Sequence, residues 1–131
     1  MNVRHMLVCG AIAFPALGSA SLAHHSTAVY QDVSIVLKGA TMKSLFWGNP
    51  HTILTFDVKD ASGGVTTWSA ESGSATSLSR IGWTRNSLKA GDAVTVELFP
   101  ARNGAKVGRL AKVILPDGRE LLDSLSRAAE P

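Results

Sequence analysis

The chain has 131 residues, of which 45% are hydrophobic and 18% are charged; this composition is ordinary for one globular domain and excludes a chain that is disordered throughout. The formal net charge is only +3 and the basic residues are interspersed, so the charge pattern does not indicate nucleic-acid binding. The single cysteine, Cys9, lies near the N-terminus, which leaves the rest of the chain without disulfide or thiol chemistry.

Residues 1–23 have the composition of a secretory signal. Arg4 precedes an apolar run over 6–17, and small residues follow the run, which is the order typical of a cleaved leader. The run is too short to cross a bilayer, which takes about 20 helical residues. Cleavage after Ala23 is favoured over cleavage after Ala20. We therefore predict a periplasmic or secreted protein with no membrane span in its mature part.

Residues 24–131 are predicted to form one β domain, with an N-terminal arm at 24–32 and a frayed polar tail at 123–131. Apolar and polar residues alternate in several segments, and this alternation predicts strands with one face on a core. A glycine inside such a pattern indicates a bend or bulge. In chain order the predicted strands are a long one over 33–47 that bends at Gly39, and four more at 53–58, 65–71, 93–98 and 110–115.

One short helix is predicted between the third and fourth strands. Ser74 is a candidate N-cap for a helix over 75–81 that ends at Gly82. Thr84 is a candidate cap for a further turn through Leu88. The resulting order of elements is that of an all-β, five-stranded OB-like Greek-key barrel. A small β-sandwich is the alternative, because alternation alone does not separate the two folds.

Three histidines remain after the leader and form a candidate metal site. If the mature chain begins at His24, this residue carries a free α-amine and an imidazole, which together chelate a metal in a compact ring. A second histidine completes a T-shaped, three-nitrogen site that suits Cu(II). His51, which follows Asn49-Pro50, is the candidate for that ligand, and His25 is a substitute for either. A solvated His-His pair without a ligand is the alternative, and zinc fits less well because a closed structural zinc site takes four ligands.

A second candidate site consists of three aromatic residues and one acid. Its members are Trp47, Trp68, Glu71 and Trp83. Packing in the core and at its rim is the favoured interpretation of the tryptophans, and an aromatic face that binds a polymer, an envelope component or a partner protein is the alternative. For Glu71, an ion pair with Arg80 or Arg85 is the favoured expectation, and a role as an acid or as a metal ligand is the alternative.

The sequence contains no recognisable catalytic motif. It has no G-x-S-x-G elbow, no clear pair of glycosidase-type carboxylates and no phosphate-binding glycine loop. We therefore expect an exported binding protein rather than an enzyme. Copper binding through His24 and His51 is the leading hypothesis, and a polymer- or protein-binding module is the alternative.

Several short motifs follow one another in order along the chain. They are His24-His25-Ser26, Trp47-Gly48-Asn49-Pro50-His51, Trp68-Ser69-Ala70-Glu71, Gly82-Trp83-Thr84, Ser87-Leu88-Lys89, Gly91-Asp92 and Asp117-Gly118-Arg119. Over nearly all of 24–122 the chain resembles a family of small exported bacterial proteins known only as a domain of unknown function. The resemblance implies export and a compact β domain, and it implies no activity, ligand or catalytic residue. Members often have an aromatic residue directly after His-His-Ser, whereas here Tyr30 is the first aromatic residue after that triplet.

Overall fold

The computed structural model describes residues 29–127, and nearly half of this part is β-strand. The elements are β1 (Ile35–Phe46), β2 (Thr52–Lys59), β3 (Val65–Ser72), α1 (Ala75–Arg80), β4 (Ala93–Pro100), β5 (Val107–Ile114), β6 (Glu120–Leu122) and α2 (Ser124–Arg127). The predicted leader, the arm residues 24–28 and the tail residues 128–131 lie outside the described residues. Within residues 29–127, no helix has the length and apolar character needed to cross a membrane.

The strands form a closed five-stranded barrel. Antiparallel pairing joins β3 to β2, β2 to β1, β1 to β4 and β4 to β5. A short parallel pairing between β5 and β3 then closes the ring. This order confirms the predicted OB-like Greek-key barrel rather than the sandwich. The sixth strand, β6, is an addition that pairs with the C-terminal half of β5.

The barrel interior holds one apolar core, built from alternate residues of the strands. Leu54 and Phe56 of β2 are fully buried, as are Val96 and Leu98 of β4, and Val94 is nearly so. The alternation predicts these five positions and Val58 to face inward, and Val58 is partly buried against the same core. Because burying each such side chain contributes about 1.5–3 kcal/mol, this core is the main source of the domain's stability.

Strand β1 pairs with both β4 and β2 because it bends. Its first half pairs with β4 and its second half with β2, and the register shifts between Leu37 and Ala40 and again between Met42 and Ser44. Gly39 lies at the first shift with φ of +64°, a conformation that residues with a side chain rarely adopt. The bend predicted at Gly39 is therefore confirmed.

The connection between β3 and β4 contains the predicted helix. The hydroxyl of Ser74 accepts a hydrogen bond from the Ser77 N–H at 3.0 Å, so Ser74 is the N-cap. The helix ends at Arg80, one residue earlier than predicted. The predicted further turn is also present, and the Thr84 N–H donates to the Ser87 hydroxyl at 2.8 Å.

The tail that the sequence predicts to be frayed begins instead as an ordered segment. Asp123 is only 1% exposed, and its carboxylate accepts hydrogen bonds from the Ser72 hydroxyl at 2.6 Å and the Gly73 N–H at 2.9 Å. It also accepts one from the Leu125 N–H at 3.1 Å. The prediction is wrong for 123–127 because a buried carboxylate and β6 hold this segment on the barrel. Strand β6, with three residues, is too short for alternation to reveal it.

The buried face of β4 can be tested with Val96→Asp. Val96 is fully buried, and an unpaired carboxylate there costs several kcal/mol, which is comparable with the roughly 5–15 kcal/mol by which a domain is stable. We expect loss of the cooperative thermal transition measured by circular dichroism. Val65→Asp, at an exposed position of β3, is the matched control and should remain folded. An unchanged thermal midpoint in Val96→Asp would contradict the strand register.

The close approach of β5 to β4 can be tested at Gly108, a residue that also pairs with β3. A Cβ at this position would lie 2.6 Å from Cδ1 of Leu98 and 2.8 Å from the carbonyl oxygen of Phe99, which is backbone and cannot rotate away. We expect Gly108→Ala to lower the free energy of unfolding by about 1–3 kcal/mol, measured by denaturant titration. Gly48→Ala is the control, because its Cβ meets the ring of the exposed Phe46, which can rotate. Equal losses in the two variants would contradict the close approach.

Candidate functional site

A cleft of about 280 Å³ opens between the end of β3, the start of β2, the middle of β5 and the C-terminal segment. Its polar lining includes Tyr30, His51, Glu71, Arg109 and Asp123. Two of these, His51 and Glu71, come from different candidate sites of the sequence analysis. The fold therefore brings together residues that the sequence treats as separate.

His51 and Glu71 meet because β2 and β3 are antiparallel. Thr52, the first residue of β2, is paired with Ser72, the last residue of β3. His51 precedes Thr52 and so lies beside the end of β3. Its Nδ1 is 3.0 Å from Oε1 of Glu71 and 3.3 Å from the carbonyl oxygen of Ser72. The imidazole is nevertheless about half exposed to solvent.

Tyr30 connects the N-terminal arm to the same carboxylate. Its backbone forms a bridge with Ala101, and the Gln31 N–H donates to the carbonyl oxygen of Pro100 at 2.8 Å, so the arm lies along the end of β4. The phenol of Tyr30 is 9% exposed and donates to Oε2 of Glu71 at 2.7 Å. The two oxygens of Glu71 are thus contacted by two different parts of the chain.

The expected ion pair between Glu71 and Arg80 or Arg85 is wrong. Among residues 29–127, the hydrogen-bond and ion-pair partners of the Glu71 carboxylate are Tyr30 and His51. The expectation rested on partners that are near in sequence, whereas strand pairing and the docked arm supply partners that are far away along the chain. Tyr30 was not among the candidate site residues, and its position before the first strand offered no signal of this contact.

Arg109 is a further cleft residue that no sequence pattern marks. The parallel pairing of β5 with β3 places it opposite Glu71. Its guanidinium carbon lies 4.3 Å from the ring centroid of Phe99, an attractive cation–π distance. Its Nε is buried and has no hydrogen-bond partner among the described residues. An arginine within an alternating strand usually indicates a solvent-facing position, which is why the sequence did not single it out.

The three tryptophans do not form a common exposed face. Trp83 is 2% exposed, and its indole N–H donates to the carbonyl oxygen of Leu122 at 2.9 Å. Trp68 is 8% exposed, with the Lys106 ammonium 5.2 Å from its ring centroid. Trp47 packs partly buried against the core. Trp68 and Trp83 therefore belong to the core, and neither presents its ring to a surface groove.

The charges of the cleft suit a cation better than an anion. The charged groups of its lining are two carboxylates, Glu71 and Asp123, and one guanidinium, that of Arg109. Within residues 29–127, however, no group of three His, Cys, Asp or Glu side chains is arranged to hold a metal ion. His51 and Glu71 form at most part of a site, so further donors would have to come from the rest of the chain. His24 and His25 lie outside the described residues.

The titration of Tyr30 tests its contact with Glu71. Burial, followed by the hydrogen bond to Glu71 and that carboxylate's charge, raises the pKa of Tyr30 to about 12, against an ordinary value near 10. The pKa of Tyr30 is higher in the folded protein than in the unfolded chain, so the protonated phenol stabilises the fold. This stabilisation is complete below about pH 10 and is lost as the pH rises toward about 12. Tyr30 is the only tyrosine of the chain, so phenolate absorbance reports this residue alone.

We expect a phenolate midpoint near 12 while circular dichroism, followed in the same titration, shows a folded protein. Glu71→Gln should lower the midpoint without bringing it to 10, because burial persists. Glu97→Gln is the control, because it removes another carboxylate that accepts a hydrogen bond from a side-chain hydroxyl. It should leave the phenolate midpoint of Tyr30 unchanged. A midpoint near 10 in the folded wild-type protein would contradict the contact.

Comparison with known proteins identifies a family. The model of a family of unknown function, DUF6152, matches residues 13–110 of the 131-residue chain. No curated protein and no solved structure gives a significant match. The resemblance seen in the sequence motifs is thereby confirmed. The chain belongs to DUF6152, a family of unknown function.

Proposed function

We propose that the mature protein is an exported copper-binding protein of the periplasm or cell exterior. Its Cu(II) ligands are the α-amine and imidazole of His24 and the imidazole of His51, with His25 as a substitute donor. The observation that carries this proposal is the position of Tyr30, because it brings the arm that bears His24 to the carboxylate that also contacts His51.

The length of the arm supports the proposal. A chain rises at most about 3.6 Å per residue, so His25 lies within about 18 Å of Tyr30 and His24 within about 22 Å. The carboxylate of Glu71 bridges the two residues: Oε2 lies 2.7 Å from the Tyr30 hydroxyl, and Oε1 lies 3.0 Å from His51 Nδ1. The arm therefore starts close enough to His51 to bring its histidines back to that ring.

The donor chemistry supports copper over zinc. Nitrogen donors bind Cu(II) more tightly than Zn(II), as the Irving–Williams order describes, and three nitrogens in a T shape match the tetragonal preference of Cu(II). The excess of carboxylates in the cleft attracts a cation of either kind. The alternative, a polymer- or protein-binding module on an aromatic barrel face, has less support because Trp68 and Trp83 are buried.

A copper titration of the mature protein tests the proposal. The chain is produced with His24 as its first residue, and Cu(II) and Zn(II) are titrated in competition with a chelator. We expect one Cu(II) per chain, bound more tightly than Zn(II), with an affinity that falls as the pH falls because protons compete for the same nitrogens. His51→Ala should lower the Cu(II) affinity by about tenfold or more, since even outer-shell changes cost about 10–100-fold, without shifting the thermal midpoint.

An extended N-terminus provides the matched control. One glycine added before His24 removes the α-amine from the chelate ring and keeps every side chain, so it should also lower the affinity by about tenfold or more. One glycine added after Pro131 should have no effect. Equal affinity in all these variants would refute the site, and a mass spectrum showing that the exported protein begins at Ser21 would refute the role of the His24 amine.

A further inference from the structure

The contacts of His51 determine which of its ring nitrogens is free. Nδ1 lies near two oxygens, Oε1 of Glu71 at 3.0 Å and the carbonyl oxygen of Ser72 at 3.3 Å. A carboxylate oxygen and a carbonyl oxygen only accept hydrogen bonds. A neutral imidazole satisfies them by carrying its proton on Nδ1, which leaves the lone pair on Nε2. Half of the His51 side chain is exposed to solvent, so the ring is open to an incoming ligand.

Glu71 is itself held in place from its other side. The Tyr30 hydroxyl donates to Oε2, and a hydrogen bond to a charged acceptor is stronger than one between neutral groups. The ring of Tyr30 is buried, and its backbone is bridged to Ala101, so the donor is anchored. The carboxylate of Glu71 therefore has one oxygen directed to Tyr30 and one to His51.

We propose that Tyr30 and Glu71 are positioning residues for His51: the Tyr30 hydroxyl orients Glu71, Glu71 holds His51 with its proton on Nδ1, and Nε2 is the atom presented to copper. This inference rests on the proposed function and specifies how the barrel half of that site is built. Histidine ligands of metals generally donate the second ring N–H to a carboxylate or carbonyl, and loss of that partner lowers metal affinity by about 10–100-fold.

Nitrogen NMR of the metal-free protein tests the tautomer. The mature protein labelled with ¹⁵N is measured near pH 8, above the ordinary titration range of imidazole. We expect the His51 resonances of a ring protonated on Nδ1. Glu71→Met removes the nearer, charged acceptor at similar side-chain length and leaves the Ser72 carbonyl oxygen at 3.3 Å. It should therefore shift the ring part of the way toward the other tautomer and lower the Cu(II) affinity by about 10–100-fold. Glu71→Gln keeps an acceptor oxygen, so its His51 tautomer and its Cu(II) affinity should be closer to those of the wild-type protein than to those of Glu71→Met.

Tyr30→Phe tests the second step, because it retains the buried ring and removes the hydroxyl. It should lower the Cu(II) affinity in the same direction as Glu71→Met. Glu97→Met is the matched control: Glu97 is also a strand carboxylate that accepts a hydroxyl, from Ser34 at 2.7 Å, and it lies outside the cleft lining. It should leave the tautomer and the affinity unchanged. Thermal midpoints of all variants report whether the fold is retained.

The outcomes that overturn this inference differ from those that refute copper binding. A wild-type ring protonated on Nε2, or wild-type affinity in both Glu71→Met and Tyr30→Phe, overturns it. A loss of affinity in Glu71→Met without a change of tautomer also overturns it, because Glu71 would then be a direct ligand. A wild-type protein that binds no Cu(II) refutes the proposed function, whereas the metal-free spectra still decide the tautomer.

Discussion

Three residue pairs close the barrel, and the rest of the structure depends on this short parallel contact between β3 and β5. Gly108 lies in the middle of the contact, at a place where any side chain would collide with the backbone of β4. Without closure, β3 and β5 would each present an open edge, and unpaired edges are sites of aggregation. The same contact places Glu71 next to Arg109.

The cleft is built from scaffold interactions that need no ligand. Asp123 ties the C-terminal segment to the end of β3 through the Ser72 hydroxyl and the Gly73 N–H. A buried carboxylate is tolerated only when hydrogen bonds replace the water that it loses, and Asp123 meets this condition. The tie forms one wall of the cleft, and the docked Tyr30 forms another. The proposed barrel half of the metal site is therefore held by the fold itself.

In the proposed function, the two halves of the site differ in origin. His51 is placed by a strand pairing and held by Glu71, whereas the amine and imidazole of His24 lie on the arm that precedes Tyr30. The amine becomes available only if the leader is removed directly before His24. Export and metal binding would then be coupled, because the cleavage that releases the mature chain also produces one of its ligands. Tyr30 is the physical link between the halves, since it contacts the carboxylate beside His51.

The sequence by itself determined five of the six strands, the helix cap at Ser74 and the bend at Gly39, because side-chain alternation and cap chemistry are local properties. The predicted order of elements fitted an OB-like barrel, with a sandwich as the alternative. The sequence also singled out His51 and Glu71, although as members of different sites. Only the tertiary structure decided that these two residues touch, that Tyr30 donates a hydrogen bond to Glu71 from 41 residues away, and that Arg109 lines the same cleft. It also decided that Trp83 is buried and that the C-terminal segment is tied down. These facts depend on barrel closure and on contacts between segments that are distant along the chain, which the alternation within a single strand does not specify.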